Sequence, residues 1–147
     1  MMPVDVKIVN TSNNPLPEYA TGGSSGMDIR AGLSAPVMLK PLERSLLPTG
    51  LFIEMPEGFE AQIRPRSGRA IKQGITILNA PGTIDSDYRG EIKIALINLS
   101  GEDQIIHPGD RIAQLVLQKV ETISWTEVTV LTETIRNEGG FGSTGKN

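Results

Sequence analysis

The chain has 147 residues, a formal net charge of −3 and no cysteine. That length supports one domain with a real core and is too short for two. The mildly acidic balance excludes a general nucleic-acid or membrane surface, and the missing thiols exclude disulfides, thiolate chemistry and the common zinc sites. No apolar run reaches the length of a membrane span, and Met1-Met2-Pro3-Val4-Asp5 lacks the charged and apolar regions of a signal peptide, so the expected location is the cytoplasm.

Sixteen glycines and ten prolines are spread along the chain and leave no room for a long helix. Residues 4–9 read as a first strand, and residues 46–55 as another, between turn signals at Pro41-Leu42-Glu43 and Pro56-Glu57-Gly58. Next, Phe59, Ala61 and Ile63 alternate with Glu60, Gln62 and Arg64, the period-two signature of a strand with one apolar face. Residues 67–73 predict one short helix, with Ser67 as N-cap and Gly74 as its stop. Residues 75–78 read as a strand, and a turn on Pro81-Gly82 then makes a hairpin with the Asn79 amide at its rim. Ile92, Ile94 and Leu96 oppose Glu91 and Lys93, and after turns at Ser100-Gly101 and Pro108-Gly109-Asp110 residues 111–120 form the last run. The spacing suits an all-β jelly roll or barrel. One Trp, two Tyr and three Phe are few for closing an isolated barrel, a shortfall met either by oligomerisation or by Ile, Val and Leu.

Positive charge concentrates in Arg64-Pro65-Arg66-Ser67-Gly68-Arg69-Ala70-Ile71-Lys72, which suits a compact anion better than a long polyanion. His107, the single histidine, precedes Pro108-Gly109 and reads as a solvated turn residue, so no Ser/His/Asp triad is available. Carboxylates, arginines, backbone amides and a magnesium ion remain as the available chemistry. Asp85 reads either as a general base for water, held on a rigid hairpin, or together with Asp87 as a solvated turn residue. The last residues, from Arg136 to Asn147, are glycine-rich. From Gly140 they read Gly-x-x-x-x-Gly-Lys-Asn, yet a P-loop ends in Ser or Thr and leads into a helix, and this segment offers neither. A Gly/Ser/Thr-rich terminus by itself reads as a disordered tail. Arg136 and Phe141 suit a flap that closes over a ligand carrying both phosphates and a flat base.

Five blocks then stand in order: Gly26-Met27-Asp28-Ile29-Arg30-Ala31, Pro65-Arg66-Ser67-Gly68, residues 79–90, Gly109-Asp110-Arg111-Ile112-Ala113-Gln114, and the C-terminal segment. Together they resemble the ordered motifs of the trimeric deoxyuridine triphosphatase (dUTPase) family. The resemblance implies an all-β, jelly-roll-like or distorted-barrel subunit with one short helix. It also implies a homotrimer with C-terminal arm exchange and active sites at subunit interfaces, residues 1–135 forming the β domain and 136–147 a mobile flap. The implied reaction is hydrolysis of dUTP to dUMP and pyrophosphate by water attack at the α-phosphorus. That chemistry limits uracil incorporation into DNA and supplies dUMP for thymidylate synthesis. Mg2+ is the implied cofactor, with no nucleic-acid or membrane partner.

Residue by residue, Asp85 matches the family's general base, and Asp28 the acid that holds magnesium through its water shell. Arg66, Ser67 and Gly68 match phosphate-binding residues, and Gln114 a side chain near the α-phosphate. Asn79, the backbone of Thr83, Ile84 and Asp85, and the facing strand near Lys93 match a donor and acceptor set for uracil. Cytosine would leave that set unpaired, at about 1 to 3 kcal/mol per buried group. A narrow hairpin slot excludes the thymine methyl. Tyr88 matches the residue that packs under the deoxyribose, and on its own reads as a core aromatic. In the flap, Arg136 is expected on the γ-phosphate, Phe141 on the uracil, and Ser143 and Thr144 around the terminal phosphates.

Two positions depart from the family pattern. The flap opens Arg136-Asn137 in place of Arg-Gly, and asparagine accepts a left-handed backbone better than most residues. Arg69 stands where an apolar residue is usual, and reads either as a surface change or as added positive charge near the phosphates. Two rivals are a deoxycytidine triphosphate deaminase of the same fold and a non-catalytic trimeric nucleotide-binding or signalling module. The first needs a glutamate where this chain has Ala95, and the second has no reason to keep Asp85.

Overall fold

A computed structural model of the chain describes residues 2–145. In chain order these form β1 (Lys7–Asn10), β2 (Met27–Arg30), β3 (Val37–Leu39), β4 (Arg44–Pro48), β5 (Leu51–Glu54), β6 (Phe59–Arg64), α1 (Ser67–Gln73), β7 (Ile75–Ile77), β8 (Gly82–Ile84), β9 (Lys93–Asn98), β10 (Gln104–Ile106) and β11 (Arg111–Lys119). All the pairings are antiparallel. The sheets run β2-β11-β6-β8, β4-β9-β7, β1-β5 and β10-β3. The architecture is all-β with one short helix, as the alternation and the Gly/Pro punctuation predict.

Alternation decides which residues are inside. Along β6, Ala61 and Ile63 are buried while Gln62 and Arg64 stay partly exposed, and along β9 Ile94 and Leu96 are buried while Lys93 is exposed. Leu39, Ile75 and Ile112 join them in a core that buries no aromatic residue among the described residues, with Met55 inside it and Phe59 packed at its margin. Each such side chain contributes about 1.5 to 3 kcal/mol on burial, so isoleucine and leucine make up for the scarcity of aromatics.

Several local expectations are corrected. The N-terminal strand starts at Lys7, and the run over 46–55 divides into β4 and β5 at Thr49-Gly50. Gly50 has φ 71, and a Cβ there would lie 2.8 Å from the Ser12 nitrogen, so only glycine makes this bend. The helix spans the predicted residues, but Arg66 occupies the N-cap position with extended backbone and no side-chain cap bond; Ser67 is the first helical residue. Gly74 ends it as predicted, in the left-handed conformation with its N–H donated back to Ala70. The predicted hairpin around Pro81-Gly82 is not a paired hairpin. β7 pairs with β9 and β8 with β6, so the chain changes sheets between them. Strands β2, β3, β8 and β10, each three or four residues long, add to the expected runs.

Among the buried polar side chains, Asn98 joins β9 to β3 and to the turn that follows it. Its amide donates to the Leu39 carbonyl at 2.9 Å and the Glu102 carbonyl at 2.7 Å, and its oxygen accepts from the Ser100 N–H at 2.9 Å. Replacing Asn98 with leucine keeps the branching of the side chain but leaves those backbone groups without partners and adds bulk at a fully buried position. The expected loss is on the order of 2 to 4 kcal/mol, read as a lower urea midpoint at fixed protein concentration.

Candidate active site

The β2-β11-β6-β8 sheet has one apolar and one polar face, and the polar face carries the candidate residues Asp28, Thr83 and Gln114. Antiparallel partners share a face, so Gln114 on β11 lies between Asp28 on β2 and Arg64 on β6, and Thr83 on β8 lies opposite Gln62. Asp28, Arg64 and Gln114 line a hollow of about 210 Å³ under the loop that carries Glu18 and Ser24. Arg64 donates to the Gln62 side chain at 2.8 Å, which holds its guanidinium along the strand.

Asp28 is the electrostatic centre of this group. Its Oδ1 accepts from Arg66 Nε at 2.9 Å, and its Oδ2 lies 3.6 Å from Arg111 Nη1. Sequence reasoning gave Asp28 and Arg66 separate duties; the fold makes them one partly buried ion pair. Arg111 was not singled out as a site residue. A basic residue opening a strand beside Asp110 was the available signal, but its approach to Asp28 depends on the pairing of β11 with β2. Ser67 and Gly68 follow Arg66 on the first turn of α1, and both are exposed.

The second group surrounds β8. Ile84 is buried, which fixes that strand and turns Thr83 outward, and Asp85 follows with its side chain exposed. The Asp85 carbonyl accepts from the Tyr88 N–H at 3.1 Å, closing a tight turn. Tyr88 is 45% exposed, which removes the core-aromatic reading. Its hydroxyl donates to the Glu91 carbonyl at 2.8 Å, and its ring lies over Gly90, where an added Cβ would stand 2.6 Å from the ring Cζ. The absence of a side chain at Gly90 therefore creates the seat for Tyr88. Asn79 is exposed in the turn between β7 and β8, with its amide nitrogen next to Gly82. The strand facing β8 is β6, whereas Lys93 opens β9 in the other sheet, opposite Pro48.

The third group stands apart. Residues 121–138 are all exposed, and Arg136 Nε donates to the Gly139 carbonyl of its own turn at 2.7 Å. Asn137 adopts φ 44, the left-handed backbone expected of it, and its side chain accepts from the Thr134 N–H at 2.8 Å. Phe141, Ser143 and Thr144 are exposed, with Phe141 at φ 50. Lys146 and Asn147, the last two residues of the predicted flap, lie outside the described residues. The β6-β8 ladder joins the first two groups, whereas among the described residues no hydrogen bond or ion pair joins the C-terminal group to either of them within one chain.

His107 is exposed, and its backbone N–H donates to Asp110 Oδ2 at 2.9 Å, the turn role expected of it. Among the described residues no three acidic or histidine side chains gather to hold a metal, and no helix is long and apolar enough to cross a membrane.

A family model for dUTPase matches residues 12–145. The deoxyuridine 5'-triphosphate nucleotidohydrolase of Finegoldia magna is 64% identical over 140 residues, covering 95% of this chain and 98% of that protein. The protein of the same name from Cytophaga hutchinsonii is 59% identical over 145 residues, covering 99% and 94%. Among solved structures, a variant of the Staphylococcus bacteriophage 80alpha dUTPase with dUpNHpp superposes with a TM-score of 0.86 at 24% identity, covering 97% of this chain and 99% of that one. A variant dUTPase from phage phi11 of S. aureus, in which a structural Mg(II) ion is coordinated, gives 0.78 at 24% identity, covering 88% and 99%. The structures speak for the fold, an all-β jelly roll, and the relatives for the family. Matched from the turn after β1 to the C-terminal segment, and aligned with relatives over nearly their whole length, the chain belongs to the dUTPase family.

Proposed function

We propose that the protein is a dUTP diphosphatase, hydrolysing dUTP to dUMP and pyrophosphate by attack of water at the α-phosphorus. The observation that carries this is the 64% identity to the F. magna enzyme over 98% of its length. The geometry supplies the means. Such a reaction needs positioning and charge stabilisation more than covalent chemistry, and the candidate residues are of that kind. Arg66, Ser67 and Gly68 bind the phosphates and Gln114 lies by the α-phosphate, on the face that carries Asp28. Asp85, at the end of a strand anchored by buried Ile84, takes the proton from the attacking water.

The residues fit a magnesium ion that arrives on the triphosphate. With no acidic cluster among the described residues, the chain offers Asp28, a single carboxylate held by two arginines, which suits contact through water. When bound, the ion neutralises charge on the phosphate oxygens. Asn79 and the β8 backbone read the uracil edge. Tyr88, seated on Gly90, packs under the deoxyribose and leaves no room for a ribose hydroxyl.

The working unit in this reading is a homotrimer. Trp125, Val130, Leu131 and Ile135 are exposed along an arm that covers none of its own subunit's core, an arrangement that favours burial against another copy. Arm exchange would bring Arg136 and Phe141 to a neighbour's site, Arg136 onto the γ-phosphate and Phe141 onto the base. Ser143 and Thr144 follow around the terminal phosphates.

Purified protein with magnesium is expected to release pyrophosphate from dUTP, with little turnover of dTTP, dCTP or UTP; ammonia as a product would move the assignment to a deaminase. Asp85→Asn is expected to lower turnover by about a hundred- to ten-thousand-fold while dUpNHpp still binds, and wild-type turnover in that variant would remove Asp85 from its role. Deleting residues 136–147 is expected to leave a trimer by light scattering that hydrolyses dUTP poorly. Full activity after the deletion would make the segment a plain tail.

A further inference from the structure

We infer that Arg69 is a positioning residue for triphosphate binding, clamping the first turn of α1 to the Asp110-Arg111 corner so that Arg66, Ser67 and Arg111 are held together around Asp28. The inference rests on the dUTPase reading above. Of the two sequence expectations for Arg69, the surface change does not survive, because its side chain is only 15% exposed and its guanidinium is paired within the fold.

The need for a clamp follows from the helix itself. α1 has seven residues, none of them buried, and no side-chain N-cap bond. Ile71, its largest apolar side chain, is exposed. Packing and capping therefore contribute little to holding it, and isolated helices of this length are unstable in water. Arg69 supplies the missing attachment. Its Nε donates to the Arg111 carbonyl at 2.6 Å, its Nη2 lies 3.1 Å from Asp110 Oδ2, and its Nη1 donates to Gln73 Oε1 at 3.0 Å. All three nitrogens are engaged inside the protein, which separates Arg69 from a phosphate ligand.

The corner it grips is firm on one side and loose on the other. The Asp110 carbonyl accepts from the Ala31 N–H at 2.8 Å, and its carboxylate also accepts from the His107 N–H at 2.9 Å. Between Arg111 and Ala113, however, the register of β11 against β2 shifts, so the regular ladder is interrupted where Arg111 must be aimed at Asp28. The bond from Arg69 to the Arg111 carbonyl lies at that interruption. A closed circuit results: Arg69 to Arg111, Arg111 to Asp28, Asp28 to Arg66, and back along one turn of helix to Arg69. Charge-assisted bonds in a partly buried setting are the stronger class, and a planar fork with three engaged nitrogens is a role lysine does not fill.

The test compares ligands that share the base but differ in phosphates. With magnesium present, Arg69→Leu is expected to raise the dUTP KM and the dUpNHpp Kd about tenfold, while the dUMP Kd, set mainly by the base and sugar pocket, stays within about twofold. Arg69→Lys, which keeps a charge for Asp110 but not the fork, falls between the two. Adding Asp110→Asn to Arg69→Leu costs less than the two single losses combined, because both break one link. Thermal unfolding and mass in solution show that each variant is folded and assembled. Should Arg69→Leu fail to fold, Asp110→Asn alone must show the same triphosphate-selective loss. A folded Arg69→Leu with wild-type dUpNHpp affinity, or with equal losses for dUMP and dUpNHpp, overturns the clamp alone. Wild-type protein that releases no pyrophosphate from dUTP overturns the function and the clamp together.

Discussion

Strand β6 runs between β11 and β8, and its register is the constraint on which the sheet and its polar face depend. Ala61 and Ile63 face the core, so Gln62 and Arg64 must face the other way. A slip of one residue would bury a guanidinium and expose isoleucine, at a cost of several kcal/mol, which fixes the pairing. Since cross-strand partners share a face, that choice also sets Gln114 beside Arg64, and Asp28 beside Gln114. Folding the core and arranging the polar face are consequences of the same register.

On that face a single carboxylate is approached by two arginines, and a third arginine ties their supports together. Arg66 comes from the helix and Arg111 from the start of β11, so Asp28 links two elements that the sheet ladder alone leaves loosely joined. Such an arrangement holds positive charge near the hollow before any anion arrives, which reduces the ordering cost of binding. The Asp85-Tyr88 turn is prepared differently. There a missing side chain, at Gly90, makes room for the Tyr88 ring, and a buried isoleucine anchors the strand that precedes Asp85.

One subunit does not join its C-terminal segment to the rest of the candidate residues. That segment shares no hydrogen bond or ion pair with the sheet or with the turn after β8 among the described residues, and the connecting arm carries Trp125, Val130 and Leu131 into solvent. The proposed assembly would account for both features. Apolar groups without a core of their own gain by docking on another copy, and in that proposal docking would carry the last segment to a neighbour's site.

The sequence by itself determined the all-β class, because strands such as β6 and β9 are long enough to show period two and because glycine and proline break every longer run. It also determined the helix and its stop at Gly74, and it carried the five blocks that mark the family. It did not reveal β2, β3, β8 or β10, nor the split at Gly50, which depends on the approach of Ser12 from a distant segment. The change of sheet between β7 and β8 was equally hidden, since a Pro-Gly turn reads as a hairpin whatever its flanks pair with. Only tertiary structure made Asp28, Arg66 and Arg111 one electrostatic unit and turned Arg69 from a stray surface charge into a link within it. The reason is physical: local pattern reports the face on which a side chain lies, while ion pairs and side-chain hydrogen bonds depend on distances between residues 38 and 42 positions apart, as in Arg66 with Asp28 and Arg69 with the Arg111 carbonyl.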